Sequence, residues 1–281
     1  MGRELECVAK LGWTIPPRDS DGVRYVTRSG KGALFYPDEG LEVLGLEGGA
    51  GYWFDHRAAA VRRVLTRLKV TSMWEMGSGT GAMASRLVPP LTEVITVEPL
   101  VEGARAAAKL GLAALCGTLQ DLELPDHSIE CVGAFDVIEH IREVADFLRE
   151  VHRVLEPGGV IIVTVPAFDI LWGDEDDVAG HQRRYTKKSL ISEFRSADFT
   201  PVDTEYLFAS LVPLAAIARA LPYRLGRRRS EARVLASLRS QLKTPPTVDR
   251  IARRILESES AIARHFELPL GLSILGVFRA V

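Results

Sequence analysis

Residues Met73-Trp74-Glu75-Met76-Gly77-Ser78-Gly79-Thr80-Gly81 decide the reading of this 281-residue chain. A β-prone run from Val70 to Met76 carries an acid, Glu75, and then meets three glycines at every second position. Ala82-Met83-Ala84-Ser85-Arg86-Leu87 behind them reads as the start of a helix. Strand, glycine turn and helix make a ligand-binding corner. Glycine admits φ > 0 and lets a ligand approach the main chain closely, and a helix start offers free N–H groups.

Outward from this corner, β and α signals alternate, which indicates an α/β architecture with a parallel sheet covered by helices. Strands are expected at 70–76, Glu93–Glu98, Leu112–Cys116, Ile129–Phe135, Val160–Val165, 201–208 and Leu272–Phe278. Helices are expected at 100–110, 142–155 and 187–197, with a polar loop at 166–185. This amounts to a Rossmann-like, mostly parallel seven-stranded sheet with helices on both faces. Residues 1–50 read as an irregular N-terminal extension with β-like pieces at Val23–Thr27 and Ala33–Tyr36. Residues 51–209 form the expected core, 210–268 a helical cap, and 269–281 the closing strand of that core. Leu207, Phe208, Leu211 and Leu214 stand at the expected entrance to a cap-covered pocket.

A hydrophobic content of 47% and a charged content of 26% fit a soluble globular protein. The formal charge of −2 gives no general pull toward nucleic acid, and no aromatic platform accompanies Arg227-Arg228-Arg229. Cys7, Cys116 and Cys131 are far apart and form no C-x-x-C pair, against a disulfide framework or zinc ribbon. Met1–Glu6 has no apolar signal-peptide core. The run Leu207–Ala218, broken by Pro213, is too short to cross a bilayer. A cytoplasmic protein with a small-molecule partner is expected, and composition leaves its oligomeric state open.

The glycines alone fit two cofactors. Gly77-x-Gly79-x-x-Ala82 satisfies the relaxed dinucleotide fingerprint of an NAD(P)-dependent oxidoreductase. Glu75 would face a pyrophosphate with like charge, whereas it suits a ligand carrying an ammonium and a sulfonium. Glu98, about twenty residues on, suits the ribose hydroxyls of either cofactor. Asp136 closes the fourth strand.

Taken with Asp121–Asp126, Asp136-Val137-Ile138-Glu139-His140 and Arg153–Gly159, the stretch Trp74–Gly81 resembles the ordered motifs of class I S-adenosylmethionine (SAM)-dependent methyltransferases. The resemblance covers about residues 55–205. The string Pro166…Trp172…Gly180-His181-Gln182-Arg183-Arg184-Tyr185-Thr186, with Tyr52-Trp53-Phe54…Arg57, is similar to a small-molecule subgroup with a G-H-x-R-R-Y loop. It implies SAM held by Glu75, Gly77, Ser78, Gly79, Gly81, Glu98, Pro99 and Asp136. The acid that many members carry after strand 3 is replaced by Gly117-Thr118-Leu119-Gln120, which leaves adenine to Leu119, Gln120 or Asp121. Acceptor contacts would fall to Trp53, Phe54, Arg57, Trp172, Arg183, Arg184 and Tyr185.

Methyl transfer to oxygen needs a base, for which His181 ranks ahead of His140, with Glu139 beside them. Some related methyltransferases hold a divalent metal on a Glu-x-x-Glu-His cluster plus a later His. Here Asp136, Glu139, His140 and His181 would be the ligands, and the metal-free reading is preferred. A non-catalytic SAM-fold binding protein is the third alternative.

Overall fold

The computed structural model describes residues 3–26, 51–242 and 245–281. Its strands are β1 (Arg24–Tyr25), β2 (Ser72–Met76), β3 (Glu93–Glu98), β4 (Ala113–Cys116), β5 (Ile129–Phe135), β6 (Leu155–Pro166), β7 (Phe199–Leu207) and β8 (Ser273–Ala280). They form one sheet in the order β1-β4-β3-β2-β5-β6-β8-β7. All pairs are parallel except those of β8, which runs antiparallel between β6 and β7.

The sheet is buried on both faces, as parallel strands covered by helices must be. Side chains of consecutive residues point to opposite faces. Accordingly Trp74 enters a core with Ile95, Phe147, Phe194 and Phe278, while Met73 enters another with Val61, Leu65, Phe208 and Val277. Helix Val144–Val154 covers the first face with Val144, Phe147, Leu148 and Val151, a helical apolar stripe. Helix Tyr52–Leu68 covers the second with Ala58, Val61, Val64 and Leu65.

Four expectations are corrected. The sheet has eight strands rather than seven, because Arg24 and Tyr25 pair in parallel with Leu115 and Cys116 at its edge. The described part of the extension is irregular over residues 11–23 but begins with a helix. Helix Arg3–Lys10 buries Leu5 and Val8 in the core. The expected strand at Ala33–Tyr36 lies outside the described residues. Behind the glycines there is a single 3₁₀ turn, Ala84–Arg86, in place of a helix, since Pro89 and Pro90 stop propagation a few residues on. The polar stretch 166–185 is not all loop, for it contains helix Asp174–Ala179.

Between β7 and β8 the chain is largely helical. Val212–Ala215, a π-helical turn Ala216–Ala220 and Leu221–Arg224 run on from one another, followed by Glu231–Leu242 and Pro246–Ala263.

Candidate functional site

In an open α/β sheet the ligand crevice lies at the carboxyl ends of the strands. Here a cleft of about 400 Å³ opens there, walled by the turns after β2, β3 and β5, by helix Tyr52–Leu68 and by the 171–184 segment.

The glycine turn forms one wall. Gly77, Gly79 and Gly81 all take positive φ, at 63°, 54° and 76°. A Cβ on Gly81 would lie 2.6 Å from Leu112 Cδ1 and 3.0 Å from Ala107 Cβ, so this glycine seats the turn on the elements beneath it. Glu98 ties the turn from the next strand, its Oε2 accepting from the Gly79 N–H at 2.7 Å and its Oε1 from the Leu100 N–H at 2.9 Å. Glu75 Oε2 is buried with no hydrogen-bond partner. Burial pushes the Glu75 carboxyl up to about 8, with the nearby Glu98 adding to the rise, and pushes Glu98 up to about 7. Two buried acids short of positive charge favour a cationic ligand, whose charge restores their ionised forms.

At the end of β5, Asp136 takes φ 55°. It accepts from Thr164 Oγ1 at 3.0 Å and pairs with Arg57 Nη1 at 2.6 Å. Arg57 is only 3% exposed, and its Nε and Nη2 have no partner. The guanidinium lies 5.6 Å from the Trp53 ring, which stacks at 3.8 Å on Phe208. Phe54 packs under Arg86 at 5.5 Å. Trp53 and Phe54 thus anchor their helix and line the cleft at once.

The histidines line the same cleft. His140 follows the fully buried Glu139 in a 3₁₀ turn, Ile138–His140. The His140 and His181 rings meet edge-on at 4.8 Å. Nδ1 of His181 lies 2.7 Å from Asp176 Oδ1, and its Nε2 lies 4.0 Å from Glu139 Oε1. Asp176 is itself held by Arg184 through Nε at 2.8 Å and Nη2 at 2.9 Å, and by the Gly173 N–H at 2.8 Å. Burial raises the Asp176 carboxyl, but the hydrogen bonds from His181 and Arg184 outweigh it and hold the group below the ordinary carboxylate range. An ionised Asp176 accepts only, so it holds the proton of His181 on Nδ1 and leaves the Nε2 lone pair free. Burial, reinforced by His181, pushes His140 down to about 3, so its ring is neutral. Burial and the nearby Asp136 raise Glu139 well above its ordinary value. One ligand atom each from Glu139, His140 and His181 come within 4.8 Å of one another, a donor set able to hold a divalent cation. Asp136, the expected fourth ligand, is engaged by Arg57.

Residues 74–163 match the family model described as a methyltransferase domain. A probable SAM-dependent methyltransferase of Mycolicibacterium smegmatis is 35% identical over 162 residues, covering 56% of this chain and 63% of that protein. A probable SAM-dependent methyltransferase of Mycobacterium tuberculosis is 32% identical over 118 residues, covering 41% of this chain and 43% of that protein. The chain therefore spans less than two thirds of either relative. Among solved structures, a proposed sarcosine dimethylglycine methyltransferase of Galdieria sulphuraria shares the fold, with TM-score 0.51, 18% identity and coverage of 80% of this chain and 84% of that one. These findings support a class I SAM-dependent methyltransferase.

The similarity to SAM-dependent methyltransferases makes SAM the cofactor to test against this cleft. Of the residues expected to hold it, Glu75, Gly77, Ser78, Gly79, Glu98 and Asp136 line the cleft. Gly81 lies beneath it, the Pro99 carbonyl faces the Cys116 thiol, Leu119 is buried in the core, and Gln120 is exposed. Asp121 accepts from Thr118 N and Oγ1 instead of facing the cleft.

Of the acceptor candidates, Trp53, Phe54, Arg57 and Arg184 line the cleft, although Arg184 is engaged by Asp176. Arg183 is used up on the carbonyls of Ile141 and Arg142 at 3.0 and 2.9 Å. Trp172 donates to Asp177, and Tyr185 is a core residue. The expected entrance residues Leu207, Phe208, Leu211 and Leu214 do not line it either. Ala215, Arg219 and Leu235 supply that wall. Asp176 escaped notice in the sequence, since one acid among Asp174-Glu175-Asp176-Asp177 stands out only once the turn after Ala179 folds His181 back onto it.

Proposed function

We propose that the chain transfers the methyl group of SAM to a small-molecule acceptor, at an oxygen, with His181 as general base. The observation that carries this reading is the Asp176–His181 pair, with Nε2 free, lining the same cleft as the glycine turn. The turn, Glu75 and Glu98 receive the cofactor. The unpaired Nε and Nη2 of Arg57 suit its carboxylate, which moves Arg57 from the acceptor to the cofactor.

The sulfonium already activates the methyl group. The protein's part is to align donor and acceptor, which can be worth roughly 7–11 kcal/mol, and to take the hydroxyl proton on His181 Nε2, worth about 10²–10⁴-fold. Asp176 keeps the ring in the accepting tautomer and stabilises the imidazolium that forms. The helices between β7 and β8 act as a cap over an apolar or amphipathic acceptor, with Ala215 and Leu235 facing the cleft.

A second reading rests on the approach of Glu139, His140 and His181. The same three side chains would hold a divalent cation that binds the acceptor oxygen and lowers its pKa, in place of proton transfer to His181.

Calorimetric titration with SAM, S-adenosylhomocysteine, NADH and NADPH tests the cofactor. SAM and S-adenosylhomocysteine should bind, and tight nicotinamide binding without SAM binding would overturn the reading. Turnover of His181→Ala at unchanged SAM affinity tests the base. Undiminished turnover would remove His181 from the mechanism.

A further inference from the structure

The helical block between β7 and β8 carries a surface that the cleft does not use. Among the described residues, ten of the sixteen exposed large hydrophobic side chains fall between Leu214 and Leu270, so the exposed apolar surface is concentrated here. Leu214, Ile217 and Leu221 recur at helical spacing on one stretch, and Val248, Ile251 and Ile255 on another. The two are neighbours, since Ile255 lines a shallow depression with Ala209 and Ser210, just ahead of the first stretch.

Charge is segregated in the same way. Residues 210–270 hold twelve Lys and Arg against five Asp and Glu, a net charge of +7 in a chain whose total is −2. Several of these arginines are spent on ion pairs, Arg229 with Asp174 and Glu175 and Arg253 with Asp55 and Asp249. Arg224, Arg227, Arg250 and Arg254 are exposed and have no carboxylate partner among the described residues.

We propose that this face docks on an anionic lipid bilayer, with the apolar stripes seated at the acyl boundary and the free arginines on the headgroups. An exposed apolar face edged by free arginines is the pattern of a helix lying in a membrane interface. No helix among the described residues is long and apolar enough to cross a membrane, so the contact is peripheral. Ala215 and Arg219 of the stretch that carries Leu214 and Ile217 line the cleft, which places the cleft one helix away from the bilayer.

Co-sedimentation of the full chain with phosphatidylcholine vesicles, with and without phosphatidylglycerol, tests the proposal. Binding should require phosphatidylglycerol and weaken with salt. Arg224→Gln with Arg227→Gln should lower partitioning roughly thirtyfold, at about 1 kcal/mol per basic residue near the surface. Ile217→Ser with Leu221→Ser should lower it as well, while circular dichroism and SAM titration stay unchanged. Binding indifferent to phosphatidylglycerol or to both double variants would overturn it. So would a lipid-free self-associated species that Ile217→Ser/Leu221→Ser renders monomeric, which would assign the face to a second copy. Tighter binding to duplex DNA, unaffected by that apolar pair, would also overturn it.

Discussion

Binding of SAM should release protons, and Glu75 should be the main source. In the free protein Glu75 is pushed up to about 8 and Glu98 up to about 7. At pH 7 these values leave Glu75 about 90% and Glu98 about half protonated, roughly 1.4 protons together. A ligand bringing an ammonium and a sulfonium favours both carboxylates and expels those protons. The ligand's own α-amino group, ordinarily near 7.7–8.0, takes up about 0.1–0.2 in return. The net release is therefore about 1.2 protons. Because affinity rises with pH by tenfold per unit per proton released, SAM binding should tighten roughly fifteenfold between pH 6.5 and 7.5. Isothermal calorimetry in phosphate and in Tris, whose ionisation enthalpies differ, measures the number directly. Glu75→Gln should reduce it to about 0.3, and Glu98→Gln to about 0.7. Equal enthalpies in the two buffers, or a release unchanged in Glu75→Gln, would refute the assignment of a cation-seeking pair at the glycine turn.

The same groups set the pH dependence of the free protein. Both acids bind protons more tightly folded than unfolded, so their contribution is full below about 4.5 and is lost as pH rises toward 8. The melting temperature without SAM should therefore fall across that window, and SAM should offset part of the fall. Asp176→Asn removes the acceptor that fixes the His181 tautomer and breaks the bidentate Arg184 pair. Turnover should fall by about 10² or more, with a loss of stability as the half-buried Arg184 loses its carboxylate partner; denaturant melts alongside kinetics separate the two. Gly81→Ala should cost roughly 1–3 kcal/mol, because its Cβ would press on Leu112 and Ala107 at positive φ. A thermal melt within error of the parent would contradict that contact. Treatment with EDTA, followed by metal analysis and assay, decides between the base and the cation at Glu139, His140 and His181. Activity kept by metal-free protein excludes the cation, and activity restored only by added Mg²⁺ or Zn²⁺ establishes it.

Much of this protein was legible in its residues because the deciding features are local. Alternating apolar runs and helical stripes marked seven strands of the sheet, and Gly77, Gly79 and Gly81 marked the turn, since left-handed backbone is a property of single residues. The motif order from Trp74 to Gly159 pointed to SAM over a dinucleotide, and Glu75, Glu98 and Asp136 came to one cleft as strand-end logic required. What the tertiary structure alone decided concerns partners distant in sequence. The β-like piece at Val23–Thr27 was legible, but that Arg24–Tyr25 joins the sheet as its edge strand follows only from the hydrogen bonds that β4 offers it. Arg57 and Asp136, 79 residues apart, are a pair only once helix Tyr52–Leu68 packs over the sheet. Arg183 and Arg184 read as equivalent neighbours, yet one ties down backbone carbonyls and the other holds Asp176. Asp176 itself became more than one acid in a run of four when folding brought it 2.7 Å from His181. Composition sets which chemistry is possible at such positions, but burial and the direction of each side chain decide which residue performs it, and those follow from packing across the whole chain.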